Sequence, residues 1–241
     1  AENTYFIKTR EKGYKNKSIK EIAQEMFSYV DGVTMSAKKD GLANMGGFVA
    51  VNDDQLADKL KEKLILKEGF LTYGGLAGRD LEALARGFQE VLEEDYLEYR
   101  INQVKFLGDL LDEYGIPYMK PTGGHAVYLD AQKFFDLIPQ KHFPAQSLTV
   151  ELYKRGGIRA VEIGSFMFAV PDQETGEISY PELDLVRLAL PRRVYTNSHL
   201  RYVAEVIKEI YDKRHECRGL RIVANGETSL RHFVARLEYV D

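Results

Sequence analysis

YVDGVTMSAKKDGLANMGG, residues 29–47, passes from a β-prone run through a charged turn to a pair of glycines. Val30 to Ser36 is short and partly β-branched, which predicts a strand leading into the polar turn Lys38-Lys39-Asp40. Gly47 to Val51 (GFVAV) predicts a second short, buried strand. A lysine on a tight turn after a strand can be held with its amine in a cleft. There, burial and a neighbouring cation, here Lys38, make it a competent nucleophile toward an aldehyde. The hydroxyls of Thr34 and Ser36, with nearby backbone N–H groups, can hold a phosphate. Ser36-x-x-Lys39 with small residues around it therefore suits an aldehyde cofactor that carries a phosphate, namely pyridoxal 5'-phosphate. On chemistry alone, the commoner reading of Lys-Lys-Asp is a solvated charged turn.

The flanking sequence alternates helices and strands. Ser18 to Tyr29 predicts a helix capped by Ser18, with Glu21 completing a capping box and Ile19, Ile22, Ala23, Met26 and Phe27 on one face. Asp53 to Leu66 predicts an amphipathic helix, and the run Tyr73-Gly74-Gly75-Leu76-Ala77-Gly78 opens a long helical region. Asp95 to Tyr114 repeats apolar residues at Leu97, Ile101, Val104, Leu107, Leu110 and Leu111, a strong helix pattern that Gly115-Ile116-Pro117 ends. Short segments follow: HAVYLDA, AQSLTVELYKRG, IRAVEIG and VRLALP, then a helix over Ser198 to Lys213. The pattern is α/β, becoming α+β toward the C-terminus.

The chain has 241 residues, 44% apolar and 29% charged, with a net charge of −4. That balance is ordinary for a globular protein and lacks the basic footprint of a nucleic-acid binder. No run approaches the roughly 18 apolar residues of a transmembrane helix. The single cysteine, Cys217, excludes an internal disulfide framework and fits a reducing, cytoplasmic setting. His142 and His199 have no metal-ligand spacing, His215 lies in a charged helix end, and His125 reads as a hydrogen-bonded structural histidine. The first residues have neither an initiating Met nor a signal peptide, and Ala1–Ile7 reads as the interior of an α/β protein entered abruptly, as in a fragment.

The segment at 29–47 resembles the cofactor-lysine signature of the β-eliminating lyases, the family of tryptophanase and tyrosine phenol-lyase. Tyr29, Asp31, Met35, Ser36, Ala37, Lys38, Lys39, Asp40, Gly46 and Gly47 all fit it. The likeness continues through TYGGLAGRD (72–80), GGHAVYLDA (123–131), FPAQSL (143–148), GIRAVEIGS (157–165), VRLALPRRVYT (186–196) and LRHF (230–233). It implies an aspartate-aminotransferase-like, fold type I architecture. Residues 1–93 would be the C-terminal part of the cofactor-binding large domain, 94–122 the connecting long helix, and 123–241 the small C-terminal domain. By the same resemblance, Lys39 is the cofactor-binding lysine and the base for the substrate Cα proton. Lys38 aids the proton relay, Ser36 contacts the cofactor phosphate, and Tyr73 lies near the cofactor. Asn44 offers its backbone carbonyl to a monovalent cation, K⁺ by class. Arg187 grips the substrate α-carboxylate; read without the resemblance, it is a strand-edge arginine in a surface ion pair.

Two places bear on substrate. The phenol-lyases carry an arginine for the phenol hydroxyl where this chain has Ile163, and an apolar side chain suits an indole ring. Near the C-terminus the tryptophanase pattern His-Phe matches His232-Phe233, whereas PRRVYT at 191–196 is closer to the phenol-lyases. The expectation is β-elimination of L-tryptophan to indole, pyruvate and ammonia, with tyrosine phenol-lyase as the alternative. The resemblance begins at about the family's midpoint, after the aspartate that pairs with the pyridinium nitrogen. An N-terminal phosphate-contacting loop, a stacking aromatic and a tyrosine acid would lie there too. The partners implied are that N-terminal half, the amino-acid substrate and further copies in a tetramer built as a dimer of dimers, with no nucleic acid and no membrane. A non-catalytic assembly module is the reading from a different class.

Overall fold

The computed structural model describes residues 1–172, 174–228 and 230–240. They form two compact units, residues 1–102 and 103–241. In the first, α1 (Glu2–Arg10) precedes α2 (Ile19–Ser28), a hairpin of β1 (Gly32–Ser36) and β2 (Gly47–Val51), α3 (Asp54–Lys67) and α4 (Gly78–Glu90). The boundary between the units falls inside the long helix α5 (Glu94–Glu113). The sequence pattern does not anticipate α1, whose apolar residues have no helical periodicity.

Ser18 caps α2 as predicted: its hydroxyl accepts the Glu21 N–H at 3.2 Å, and the Glu21 carboxylate accepts the Ser18 N–H at 2.7 Å. Such a cap contributes about 1 kcal/mol. The apolar face of α2 is buried only at its start. Ile19 and Ile22 are covered, whereas Met26 and Phe27 are exposed. The helix predicted at Asp53–Leu66 forms with Asp53 as cap, yet it buries no residue. Periodicity identifies an apolar face, but what covers it is a matter of tertiary contact. The small core of this unit gathers Ile19, Val91, Tyr96 and Leu97. Beside it the buried guanidinium of Arg100 donates from Nε to Glu2 at 3.2 Å.

The second unit is built on β3 (Ala126–Asp130), β4 (Val161–Ile163) and β7 (Leu185–Ala189), an antiparallel sheet in the order β3-β7-β4. Around it lie α6 (Ala131–Phe134), α7 (Pro144–Gly156), α8 (Ser165–Phe168) and α9 (Asn197–Asp212). A short ladder joins β5 (Val170–Pro171) to β6 (Ile178–Ser179). The described chain ends in a hairpin of β8 (Leu220–Ala224) and β9 (Arg236–Tyr239), with α10 (Arg231–Val234) carried between the two strands.

Alternation along the strands sorts the two faces of the three-stranded sheet. Val127, Leu129, Val186 and Leu188 are buried in a core with Val104, Leu107 and Leu111 of α5, Leu148 and Leu152 of α7, and Ile207 and Ile210 of α9. Tyr128, Val161, Ile163 and Arg187 stand on the opposite, more open face. Helix α7 begins at Pro144, where a missing N–H costs nothing, and ends at Gly157 with φ of 63°. Among the described residues no helix is long and apolar enough to cross a membrane.

Candidate active site

Ser36 ends β1 directly opposite Gly47. A Cβ on Gly47 would stand 2.3 Å from the Met35 carbonyl oxygen, so only glycine lets the two strands close here. The chain then tightens: the Lys39 N–H donates to the Ser36 carbonyl (3.1 Å) and the Ala37 N–H to the Gly46 carbonyl (3.0 Å). Underneath lies α4. A Cβ on Gly87 would come within 1.8 Å of the Gly41 carbonyl oxygen, and one on Gly41 within 2.9 Å of the Phe88 ring. Phe88 also meets Phe48 of β2 edge-on, with centroids 5.8 Å apart. The turn backbone is thus seated on helix backbone, with glycine on both sides.

On this clamped turn Lys38 and Lys39 project outward and are exposed. Lys39 Nζ donates to Ser36 Oγ at 3.3 Å. The amine and the hydroxyl expected at the cofactor are therefore neighbours. Two details differ from the sequence reading. The N–H groups of Ala37 and Lys39 are engaged by the Gly46 and Ser36 carbonyls, so neither is open to a phosphate. Lys39 is also not enclosed, because the hairpin and α4 form a support beneath the turn rather than walls around it.

Asn44 lies in the exposed bend that returns to β2. Tyr73 is 40% exposed and meets Phe70 edge-on at 5.8 Å. Its turn needs Gly74 and Gly75 at φ of 55° and 80°. Leu76, three residues on, packs against Gly46, since a Cβ on that glycine would stand 2.9 Å from Leu76 Cδ1. The glycine-rich turn and the lysine turn therefore touch within one unit.

In the second unit Arg187 is the middle residue of β7, the central strand, paired with Tyr128 on one side and Val161 on the other. It is not the strand-edge arginine in a surface ion pair that its sequence setting also allowed. Its Nε is buried and has no hydrogen-bond partner among the described residues. A buried, unpaired charged donor is costly, and a carboxylate would satisfy it. Ile163 sits on the same face, opposite Leu185 and diagonal to Arg187, so two of the predicted substrate-binding residues are brought together. His232 and Phe233 lie on α10 with ring centroids 3.8 Å apart, and Phe233 is 75% exposed.

Three charged residues that the sequence reading passes over organise the space next to Ile163. Glu162 is buried, and its carboxylate accepts the N–H groups of Phe166 (3.0 Å) and Met167 (3.1 Å) in the first turn of α8. Burial, then the nearby Asp184 charge, pushes the Glu162 carboxyl up to about 7. Asp184, fully buried, accepts the Ser165 N–H at 3.2 Å and the Ser165 hydroxyl at 2.5 Å; burial raises its pKa as well. A Cβ on Gly164 would collide with the Asp184 carboxylate, at 2.0 Å. At the other end of α8, Arg231 donates from Nε to the Phe166 carbonyl at 2.6 Å and from Nη2 to the carbonyls of Ser165, at 3.3 Å, and Ala169. The available signal was weak: an acidic residue beside a strand, and Gly-Ser just before a short apolar run.

Taken unit by unit, the first offers an amine and a neighbouring hydroxyl, a pair that suits an aldehyde bearing a phosphate, and the second offers a buried guanidinium donor that suits a carboxylate.

Comparison with known proteins agrees with that chemistry. The family model for beta-eliminating lyases matches residues 1–206. A probable beta-eliminating lyase of Trichomonas vaginalis is 54% identical over 239 residues, covering 99% of this chain and 52% of that protein. A tryptophanase of Salinibacter ruber is 54% identical over 237 residues (98% and 50%), and a tyrosine phenol-lyase of Symbiobacterium sp. is 52% identical over 237 (98% and 51%). The chain thus spans about half the length of the curated relatives it matches. Among solved structures, an L-threonine transaldolase from Pseudomonas fluorescens superposes with a TM-score of 0.51 at 20% identity, over 77% of this chain and 39% of that one. The fold is the aspartate-aminotransferase-like, type I fold of pyridoxal phosphate-dependent enzymes.

Proposed function

Because the chain belongs to the β-eliminating lyase family, we propose that it is the C-terminal portion of an enzyme that splits L-tryptophan into indole, pyruvate and ammonia. The observation that carries this reading is the Lys39 amine, free of any ion pair among the described residues and 3.3 Å from the Ser36 hydroxyl, on a turn clamped by glycine contacts. Pyridoxal phosphate, when bound there, supplies the electron sink that acidifies the substrate Cα–H and lets the β-substituent depart.

The residues of this chain then have separate tasks. Lys39 tethers the cofactor and, once released, takes the proton from the substrate Cα. Lys38 holds a second cation beside it, and Ser36 donates to the phosphate. Tyr73 and its glycine-rich turn border the cofactor. Arg187 orients the substrate through a carboxylate on its unpaired Nε. Ile163, His232 and Phe233 line the side that receives the indole ring.

Relatives named for tryptophan and for tyrosine chemistry match at nearly equal identity, so the choice between substrates rests on local chemistry. Ile163 offers no donor to a phenol hydroxyl, and a site that must hold such a hydroxyl needs one. The remainder of the proposal has its support in the family likeness. It comprises a monovalent cation near Asn44, a homotetramer, and an N-terminal partner that completes the large domain of which residues 1–93 are part. The lone Cys217 is consistent with work in a reducing cytoplasm.

The test supplies this chain with the polypeptide corresponding to the missing half of its relatives, adds pyridoxal phosphate, and follows indole and pyruvate from L-tryptophan. Borohydride reduction and peptide mass mapping should place the label on Lys39. Phenol from L-tyrosine, without indole, would transfer the assignment to the phenol-lyases. Lack of both turnover and labelling in a complex that does assemble would leave an assembly module.

A further inference from the structure

Helix α8 has four residues, too few to be stable by itself. It is held at both ends by side chains, carboxyl groups at its start and a guanidinium at its end. Glu162 and Asp184 accept its first N–H groups, and the Arg231 guanidinium donates to the carbonyls of Ser165, Phe166 and Ala169. Acceptor oxygens at its start and a cationic donor at its end complement the helix dipole at each terminus. The connectivity matters more than the energy. Glu162 immediately precedes Ile163, and Asp184 leads into β7, where Arg187 stands three residues later. Arg231 is the first residue of α10, next to His232 and Phe233. The guanidinium therefore bolts the α10 end of the terminal hairpin to the sheet edge, while Tyr239 of β9 is tied separately to Glu151 and Lys154 of α7. Besides Arg231, Asn225 Nδ2 donates to the Val234 carbonyl at 3.2 Å, while His232 is only half-buried and Phe233 and Val234 are exposed.

We propose that Arg231 is a positioning residue for substrate selection, fixing His232 and Phe233 against the strand segment that carries Ile163 and Arg187. The inference rests on the reading of those four residues as substrate-binding. An arginine suits the task because its planar fork reaches several carbonyls at once, whereas a lysine reaches them singly. Loss of the bolt frees α10 and loosens the ring side of the site, while the carboxylate grip of Arg187 on β7 is retained.

The experiment uses the complete holoenzyme and its R231Q and R231K variants. In R231Q, the amides of Phe233 and Ala235, which donate within α10 to Leu230 and Arg231, are expected to exchange with deuterium about tenfold faster. KM for L-tryptophan is expected to rise about tenfold with kcat changed less than about threefold. Inhibition by L-alanine, which has a carboxylate and no ring, stays the same. R231K falls between R231Q and wild type, and it serves alone if R231Q does not fold. Unchanged exchange at α10 would overturn the proposal. So would faster exchange accompanied by equal weakening of L-tryptophan and L-alanine, since Arg231 would then be a structural tie only. If the wild-type enzyme releases no indole, the tryptophan reading fails separately. Exchange at α10 and the comparison of L-tyrosine with L-alanine still decide the role of Arg231.

Discussion

Arg187 shows how much one atom can say. Its place in VRLALP suited a surface ion pair as well as a substrate grip, but in the sheet it lies on the central strand with a buried, unpaired Nε. In the complete enzyme, R187K retains the charge and loses the fork. We expect KM for the amino-acid substrate to rise at least tenfold, corresponding to about 1.5–3 kcal/mol for a charge-assisted hydrogen bond. Steady-state kinetics check this, and an unchanged KM would show that the carboxylate binds elsewhere. Glu162 yields a pH prediction. A carboxyl raised from 4.5 to about 7 keeps a proton in the folded state that the unfolded chain has already released. Its contribution is fully present below about pH 4.5 and is lost as pH rises to about 7. The E162Q variant carries no titrating group there. Its melting temperature should therefore gain on wild type between pH 5 and 7.5, on top of a pH-independent loss of about 1 kcal/mol from an N–H bond the amide leaves unmade. Parallel melting curves across that range would exclude the shifted carboxyl.

At the scale of elements, the lysine turn works because β1, β2 and α4 approach more closely than any side chain permits. G87A places a methyl 1.8 Å from the Gly41 carbonyl oxygen, so α4 must move away from the turn. The cost is about 1–3 kcal/mol in stability, as for other overpacked contacts. Urea unfolding measures it, and cofactor affinity should fall in the same variant because the turn carries Lys39. A G87A protein with unaltered stability and unaltered cofactor binding would show that the close contact is not what holds the turn. The paired carboxylates at the start of α8 and the guanidinium at its end follow the same logic with charge in place of shape. Both devices join residues far apart in sequence, Gly41 to Gly87 and Glu162 to Arg231, and neither has a local motif.

Over the whole molecule, the first unit leaves Phe27, Val30, Val49, Leu66, Phe70 and Leu71 exposed, and its two-stranded sheet has no buried residue. Alone, the chain is expected to bind the dye ANS strongly, and the polypeptide corresponding to the other half of its relatives should suppress that binding. Weak ANS fluorescence from the chain alone would mean that it covers this surface by itself. Several features were legible from sequence because they are local. The Ser18–Glu21 cap, the strands bounding the lysine turn, the helices at α3, α5 and α9 and the stop at Gly115 each depend on contiguous residues. The strand-turn arrangement that puts Lys39 beside Ser36 is local too, and it was readable for the same reason. Local pattern also limited that reading: it marked Met26 and Phe27 as one face with Ile19 but carried no information on what would cover them. Only tertiary structure placed Arg187 on a central strand beside Ile163 and joined Glu162, Asp184 and Arg231 around α8. Such contacts depend on strand order and on the path of the chain between distant segments, and neither is written in the spacing of neighbouring residues.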